Sequence, residues 1–438
     1  MTVRPQRRGD KTRLDGASYG KVPRSHPPKE DTDVLPPRVT AWTRIIQTHV
    51  PHWSTPHATV LAVGSLGMAR ARSGALTAVS AFLATWLGRK EPAVRQQWRE
   101  FCDAATATRG TPRRARAVEP CFTPLLAWVV AQWERTQLAV ALDATTLGDR
   151  FTVLARSVGD RGCAIPVAWT VLAATAKHAW RREWLRMRRQ VHRAVPRAWT
   201  VLVLADRGLS ARWLCRRITR LGWHPFLRIT LGGTFRPTGQ VRGVPLKTSV
   251  PEPGATWQGT GIAFKGRHRQ LHGPRRACWE SGYKAPWLIL TDLPPEARTA
   301  CWYGLRAWIE QGCTSTTRAG WPWQRTRMTQ PDRAARLWRA VAVATLWLLS
   351  VGGEADAMIP ASTVLDVPAL VPQPTRTRQA TCLRLVRVLR RGWALILVAL
   401  LDQAPLPLGR FGPEPWPAVP VPEQQPPSLP VRALPQAA

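Results

Sequence analysis

Two short apolar runs in this sequence each close on an aspartate. Residues 138–142 precede Asp143, and residues 201–205 precede Asp206. Continuous apolar runs of this length are typical of strands buried on both faces, as parallel strands are. An ionised carboxylate is costly inside such a core, so each aspartate is expected at the edge of the sheet, near water or a cation. Two such strand ends side by side repel each other unless a divalent metal lies between them, so the pattern predicts a metal site.

A third acidic residue, Glu310, follows much later, in a segment predicted as a helix from about residue 295. At 3.6 residues per turn, Tyr303, Arg306 and Glu310 project from one face of this helix. The alternative is that Arg306 and Glu310 form an ordinary surface ion pair, worth only about 0.3–0.5 kcal/mol. Considered together with the two aspartates, Glu310 is the better candidate for a third metal ligand.

The charge of the chain indicates a polyanionic partner. Its 438 residues include 63 Lys and Arg against 27 Asp and Glu, a formal net charge of +36, and only eight of the basic residues are lysine. A surplus of this size favours nucleic acid, and the guanidinium fork of arginine suits phosphate. A GC-rich coding bias would explain arginine in place of lysine, but not the shortage of acidic residues. We therefore expect double-stranded DNA as the partner.

No segment predicts a membrane-spanning helix. The longest apolar stretches, residues 340–351 and 393–401, are shorter than the roughly 20 residues that a span requires and are interpreted as core helices. Residues 1–34 have no apolar signal core, so export is not expected. The eight cysteines form no CxxC pair and are interpreted as reduced thiols. The expected location is the cytoplasm, in association with the nucleoid.

Composition divides the chain into five segments. Residues 1–38 are predicted as a disordered basic arm, and residues 404–438 as a proline-rich disordered tail. Residues 39–135 have a helical pattern and form either a DNA-binding module or a structural helical cap. Residues 136–353 form the candidate catalytic domain, and residues 354–403 a C-terminal helical segment.

The candidate catalytic domain has a mixed pattern of strands and helices. The predicted order is strands 138–143, 150–158 and 164–172, helix 178–195, strand 199–206, helix 210–221 and strand 224–229. Residues 231–285 then read as a β-rich insertion before a strand at 287–291. Trp257 and Trp279 in the insertion either stack on an unpaired base or, as we favour, pack in the interior.

This order matches the RNase H-like fold, in which the first and fourth strands are parallel neighbours and would bring Asp143 and Asp206 together. The predicted fold class is α/β. It consists of an RNase H-like mixed sheet flanked by helices, with a β-rich insertion, a helical N-terminal module and a helical C-terminal segment.

Six short motifs share the order and spacing of a known family. They are residues 142–145 (LDAT), 165–169 (IPVAW), 204–208 (LADRG), 287–293 (WLILTDL), 303–310 (YGLRAWIE) and 323–327 (WQRTR). From about residue 138 to residue 353 the chain resembles the transposases of bacterial insertion sequences, of the DDE class with a β insertion between the second aspartate and the glutamate. Each motif alone is weak, whereas their order and spacing together are specific.

The resemblance implies a role for each matching residue. Asp143, Asp206 and Glu310 would form the catalytic triad and hold the metal. Tyr303 and Arg306 would contact DNA near the scissile phosphate. The family signature continues six residues beyond the glutamate to a lysine, and here that position is Thr317. Arg318 follows directly and would supply the phosphate contact instead.

The implied chemistry is metal-dependent cleavage and transfer of DNA strands at the ends of a mobile element. Three carboxylates would hold two Mg²⁺ ions about 3.5–4 Å apart, for which Mn²⁺ can substitute. A homodimer on DNA is compatible with the sequence. Two alternatives remain open: a nuclease of the same fold that cuts without joining, and a decayed DNA-binding protein without enzymatic activity.

Overall fold

The structure is a computed structural model. It describes residues 35–103, 117–176, 180–230, 232, 234–263, 270–279, 285–293, 300–306, 321–357, 388–413 and 416. The described residues from Pro36 onward belong to one compact unit.

A single mixed sheet of ten strands organises the molecule. The strands are β1 Gln137–Leu147, β2 Phe151–Asp160, β3 Cys163–Ala173, β4 Thr200–Ala205, β5 His224–Arg228, β6 Thr234–Pro237, β7 Val244–Pro245, β8 Thr256–Ala263, β9 Leu271–Cys278 and β10 Trp287–Leu290. Their spatial order is β3-β2-β1-β4-β5-β10-β9-β8-β6-β7. Helices flank this sheet, so the predicted mixed α/β class is confirmed.

Three parallel strands form the centre of the sheet. Strand β1 is parallel to β4, with Leu142 beside Ala205, and β4 is parallel to β5, with Ala205 beside Leu227. Strands β2 and β3 extend the other side of β1 as antiparallel neighbours. Because the three central strands run in the same direction, the residues that follow these partners meet at one edge of the sheet.

Nine α-helices lie in the described part of the chain. They are α1 Pro37–His49, α2 Thr55–Ala71, α3 Leu76–Trp86, α4 Glu91–Cys102, α5 Phe122–Ala131, α6 Trp180–His192, α7 Arg212–Thr219, α8 Pro331–Ala357 and α9 Val388–Leu401. The helical pattern predicted for residues 39–135 corresponds to α1 to α5, and the predicted helices 178–195 and 210–221 correspond to α6 and α7. Helix α1 begins at a proline pair and buries Val39, Trp42 and Ile46. Helices α1 to α5 share one hydrophobic core with α8 and one face of the sheet.

Helix α8 is the central helix of this core. It is apolar on nearly all sides, and among the described helices it is the one that is long and apolar enough to cross a membrane. In the fold, 89% of its most apolar window is buried, as expected of a core helix. It meets α9 at a close crossing between two glycines: a Cβ on Gly392 would lie 1.9 Å from the carbonyl oxygen of Leu348, and one on Gly352 would lie 2.1 Å from that of Val388.

The β-rich insertion lengthens the sheet. Strands β6 to β9 lie within residues 231–285 and join the sheet through β10, which pairs with β9. Trp257 packs edge-to-face against Phe235, with ring centroids 5.2 Å apart, and Trp279 packs against the main core. Both tryptophans thus have the packing role that the sequence favoured.

The segment that follows α9 differs from its prediction. Residues from 404 onward were expected to lack packing, yet Phe411 is fully buried and forms a β-bridge with Trp133. The many prolines exclude a regular helix or strand, but they allow an extended segment. One buried aromatic ring and a few backbone hydrogen bonds suffice to hold such a segment against the core. The prediction of a disordered tail is wrong for residues 404–413. Residues 414, 415 and 417–438 lie outside the described part.

Candidate active site

Asp143 lies where the parallel pairing of β1 ends. The sequence predicted that the strand stops at Asp143, but β1 continues to Leu147 and pairs only with β2 over this extension, with Asp143 opposite Ala155. The neighbouring strand β4 ends at Ala205, directly before Asp206. The register therefore brings Asp143 and Asp206 side by side at the carboxyl edge of the parallel strands, as the sequence predicted.

Each carboxylate is oriented by a local hydrogen bond. The Thr145 hydroxyl donates to Oδ2 of Asp143 over 2.7 Å. The backbone N–H of Gly208 donates to Oδ1 of Asp206 over 2.6 Å, and Asp206 thereby caps a short 3-10 helix at Arg207–Leu209. The Asp143 side chain is 16% exposed and that of Asp206 is 50% exposed. The pair thus forms a half-open acidic site.

One guanidinium spans the two aspartates. Nη2 of Arg306 lies 3.1 Å from Oδ1 of Asp143 and 3.9 Å from Oδ2 of Asp206. The side chain of Arg306 is only 9% exposed, so it is not part of a solvated helix face. In the described part of the site, Arg306 is therefore the counterion of the carboxylate pair.

Arg306 and Tyr303 come from a 3-10 helix, Ala300–Arg306. The sequence predicted an α-helix here. A 3-10 helix has three residues per turn, so Tyr303 and Arg306 eclipse each other and share a face more closely than in an α-helix. Tyr303 is 5% exposed and its ring lies edge-on to Trp287 at 5.5 Å. Glu310, Thr317 and Arg318 lie outside the described residues.

Arg228 is a site residue that the sequence reasoning missed. It is the last residue of β5, and the register with β4 puts it next to Asp206. Its guanidinium carbon lies 5.8 Å from the Tyr303 ring centroid, and Nη2 donates to the carbonyl of Pro286 over 3.3 Å. Burial lowers the pKa of Arg228, Tyr303 opposes this, and the positive charges of Arg207 and Arg306 lower it further. Its signal in the sequence was a basic residue near the end of the predicted strand 224–229.

The donor chemistry of the edge suits a hard divalent cation. Carboxylate oxygens are the ligands that Mg²⁺ prefers, and the position of the Arg306 guanidinium shows that positive charge is accommodated between Asp143 and Asp206. No group of three His, Cys, Asp or Glu side chains gathers around one point among the described residues. The predicted third ligand, Glu310, is not among them, so the part of the donor set that can be described consists of two carboxylates.

Comparison with known proteins adds no assignment to this geometry. The sequence matches no protein-family model and no curated protein.

Proposed function

We propose that this chain is a DNA transposase of the DDE class, which uses Mg²⁺ to cleave and transfer DNA strands at the ends of a mobile element. The observation that carries the proposal is the pair Asp143 and Asp206 on adjacent parallel strands, bridged by Arg306. The strand order β3-β2-β1-β4-β5 supports an RNase H-like catalytic domain, because that fold has the same central arrangement.

In this proposal Asp143, Asp206 and Glu310 hold the metal. When bound there, the metal would supply activation of the attacking oxygen and stabilisation of the leaving oxygen of a phosphodiester displacement. Thr145 and Gly208 fix the orientation of the two aspartates, so that one oxygen of each carboxylate is already engaged before any ligand arrives.

The arginines around the pair would bind the DNA backbone. Arg306 balances the charge of the two carboxylates, and its guanidinium would suit a charge-assisted contact with a phosphate oxygen. Arg228 and the exposed Arg207 lie beside it, and the three guanidiniums outnumber the two described carboxylates. Tyr303 packs under Arg228 and keeps it at the edge. Arg318 is proposed as a further phosphate contact in place of the lysine expected at position 317.

The overall charge supports the same partner. A net charge of +36 favours a polyanion, and duplex DNA at the element ends and at the target is the partner that this site would act on. A DNA substrate of this kind also implies a protein that works in the cytoplasm on the nucleoid.

Product mapping tests the proposal and separates it from its two alternatives. The protein is incubated with Mg²⁺ and labelled duplex DNA carrying the flanking element ends, and the cut and joined strands are mapped. Cuts at the element ends together with joined products support a transposase. Cuts without joining indicate a nuclease. Binding without cuts, in Mg²⁺ and in Mn²⁺, indicates a DNA-binding protein and overturns the proposal; the threonine at position 317 favours this last alternative over the nuclease.

A further inference from the structure

The chain beyond α9 is held against the core by a series of contacts. We call residues 404–413 the C-terminal strap. The indole N–H of Trp347 in α8 donates to the carbonyl of Pro407 over 2.9 Å. Gly409 touches the backbone of α8 so closely that a Cβ there would lie 2.1 Å from the carbonyl oxygen of Ser350. The strap therefore crosses α8 in backbone contact, where only glycine fits.

The strap next binds the segment that leads into β1. The N–H of Phe411 donates to the carbonyl of Gln132 over 3.2 Å, and the carbonyl of Phe411 accepts from the N–H of Glu134 over 3.4 Å. Arg135 adds a hydrogen bond from Nε to the carbonyl of Pro413 over 3.0 Å. These bonds fix the direction of the strap along the entry to the strand that carries Asp143.

Arg161 is a further anchor of the strap. Arg161 occupies the turn between β2 and β3 with φ of 44°, a left-handed conformation that favours glycine or asparagine. Its Nε donates to the carbonyl of Gly412 over 2.6 Å, and its Nη1 pairs with Oδ2 of buried Asp356 over 3.2 Å. A strained residue persists where its surroundings require it, and here the side chain ties α8 to the strap.

Beyond the strap, Trp416 lies on the helix that carries Arg306. Its ring meets Trp302 edge-to-face at 4.8 Å, and it packs against the apolar sheet face formed by residues such as Leu202 and Phe226. Trp302 belongs to the same 3-10 helix as Arg306, which faces the carboxylates. The C-terminal part of the chain thus reaches from the core helix to the back of the candidate active site.

We propose that Trp416 is a positioning residue: held by the strap, it fixes the Ala300–Arg306 helix so that Arg306 stays on Asp143. Trp416 is remote from the carboxylates, and only its expected effect on DNA cleavage rests on the proposed function. Trp416 touches neither carboxylate, so its effect passes through Trp302.

Three variants of the full-length protein test this role. Trp416→Ala removes the ring contact, Trp416→Phe restores an aromatic partner, and Leu408→Ala alters an exposed strap residue, 52% exposed, as a matched control. The measurements are hydrogen–deuterium exchange of the peptide that contains residues 300–306, the thermal melting temperature, and the rate of Mg²⁺-dependent cleavage. We expect Trp416→Ala to raise exchange in that peptide by about two- to tenfold, the range that an aromatic pair of this geometry contributes, and to lower the rate of cleavage.

The pattern across variants decides the outcome. Trp416→Phe is expected to restore both values to near those of the wild type, and Leu408→Ala to leave them unchanged. Unchanged exchange at residues 300–306 in Trp416→Ala overturns the inference, as does raised exchange with full cleavage. A wild-type protein that cleaves no DNA defeats the proposed function, and the exchange result then decides alone whether Trp416 holds the helix.

Discussion

Removal of Arg306 is expected to unbalance the carboxylate pair in a way that Mg²⁺ can repair. Nη2 of Arg306 lies 3.1 Å from Oδ1 of Asp143 and 3.9 Å from Oδ2 of Asp206. Arg306→Leu retains an apolar stem against the core but leaves two neighbouring carboxylates without this cation. The variant should be less stable than the wild type in EDTA, and Mg²⁺ should stabilise it more than it stabilises the wild type.

The magnitude follows from the geometry. At an effective dielectric constant of about 20, a separation of 3.1 Å corresponds to about 5 kcal/mol of Coulomb attraction before desolvation is subtracted. Breaking a buried pair costs about 3–5 kcal/mol, and the partial exposure of both aspartates reduces this. We expect a loss of about 2–3 kcal/mol in the free energy of unfolding. A ligand at about 100 times its dissociation constant returns about 2.7 kcal/mol, so saturating Mg²⁺ should recover most of the loss.

The assay is urea unfolding of the wild type and of Arg306→Leu, each in EDTA and in Mg²⁺. Arg95→Leu provides the control, because Arg95 pairs with Glu91 on an exposed face of α4 and its loss should cost less than about 1 kcal/mol in either condition. Equal stability of Arg306→Leu and wild type in EDTA would refute the counterion role. An equal effect of Mg²⁺ on both proteins would refute the shared cation position.

Three further outcomes are expected. Binding to duplex DNA, followed by fluorescence anisotropy, should weaken steeply with salt, with a slope of about −0.9 in log K against log[salt] per neutralised phosphate; an affinity that does not change with salt would exclude a phosphate-dominated interface. Gly392→Ala should destabilise the fold by at least about 2 kcal/mol in urea because its Cβ would collide with Leu348, whereas Gly232→Ala, with nothing within 4 Å, should have little effect. Burial raises the pKa of the thiols of Cys102, Cys121 and Cys215 to about 12. In the unfolded chain the thiols ionise from about pH 8.5, whereas in the folded protein they stay protonated. The contribution of these thiols to the free energy of unfolding is therefore complete below that pH and should fall as the pH rises toward 12, which alkaline unfolding curves would record.

The elements that the sequence predicted are those specified by local pattern. The apolar runs before Asp143 and Asp206 identified β1 and β4, and parallel pairing brought the two carboxylates together. The sequence did not predict the 3-10 helix at Arg306 or the contact of Arg306 with Asp143. These two residues are 163 positions apart, and no local periodicity encodes a contact over such a separation.

The sequence predicted neither the packing of the strap nor the place of Arg228 at the site, for related reasons. Proline-rich composition indicated disorder for residues 404–413, because the contacts that hold Phe411 come from distant parts of the chain. The acidic residues that close β1 and β4 predict a metal site, but a basic residue at the same edge, such as Arg228, is equally informative where the ligand is a phosphate.

We propose that the Asp143–Asp206 edge performs metal-dependent cleavage of DNA. The most direct test is single-turnover cleavage of element-end DNA in Mg²⁺ by wild type and Asp206→Asn, with DNA binding measured on the same preparations. Asp292→Asn is the matched control, because Asp292 pairs with His224 at the opposite end of β5 over 3.0 Å. We expect Asp206→Asn to abolish cleavage while DNA affinity and melting temperature stay near those of the wild type, and Asp292→Asn to cleave normally. Full cleavage by Asp206→Asn, or equal loss of binding and cleavage, would contradict the account.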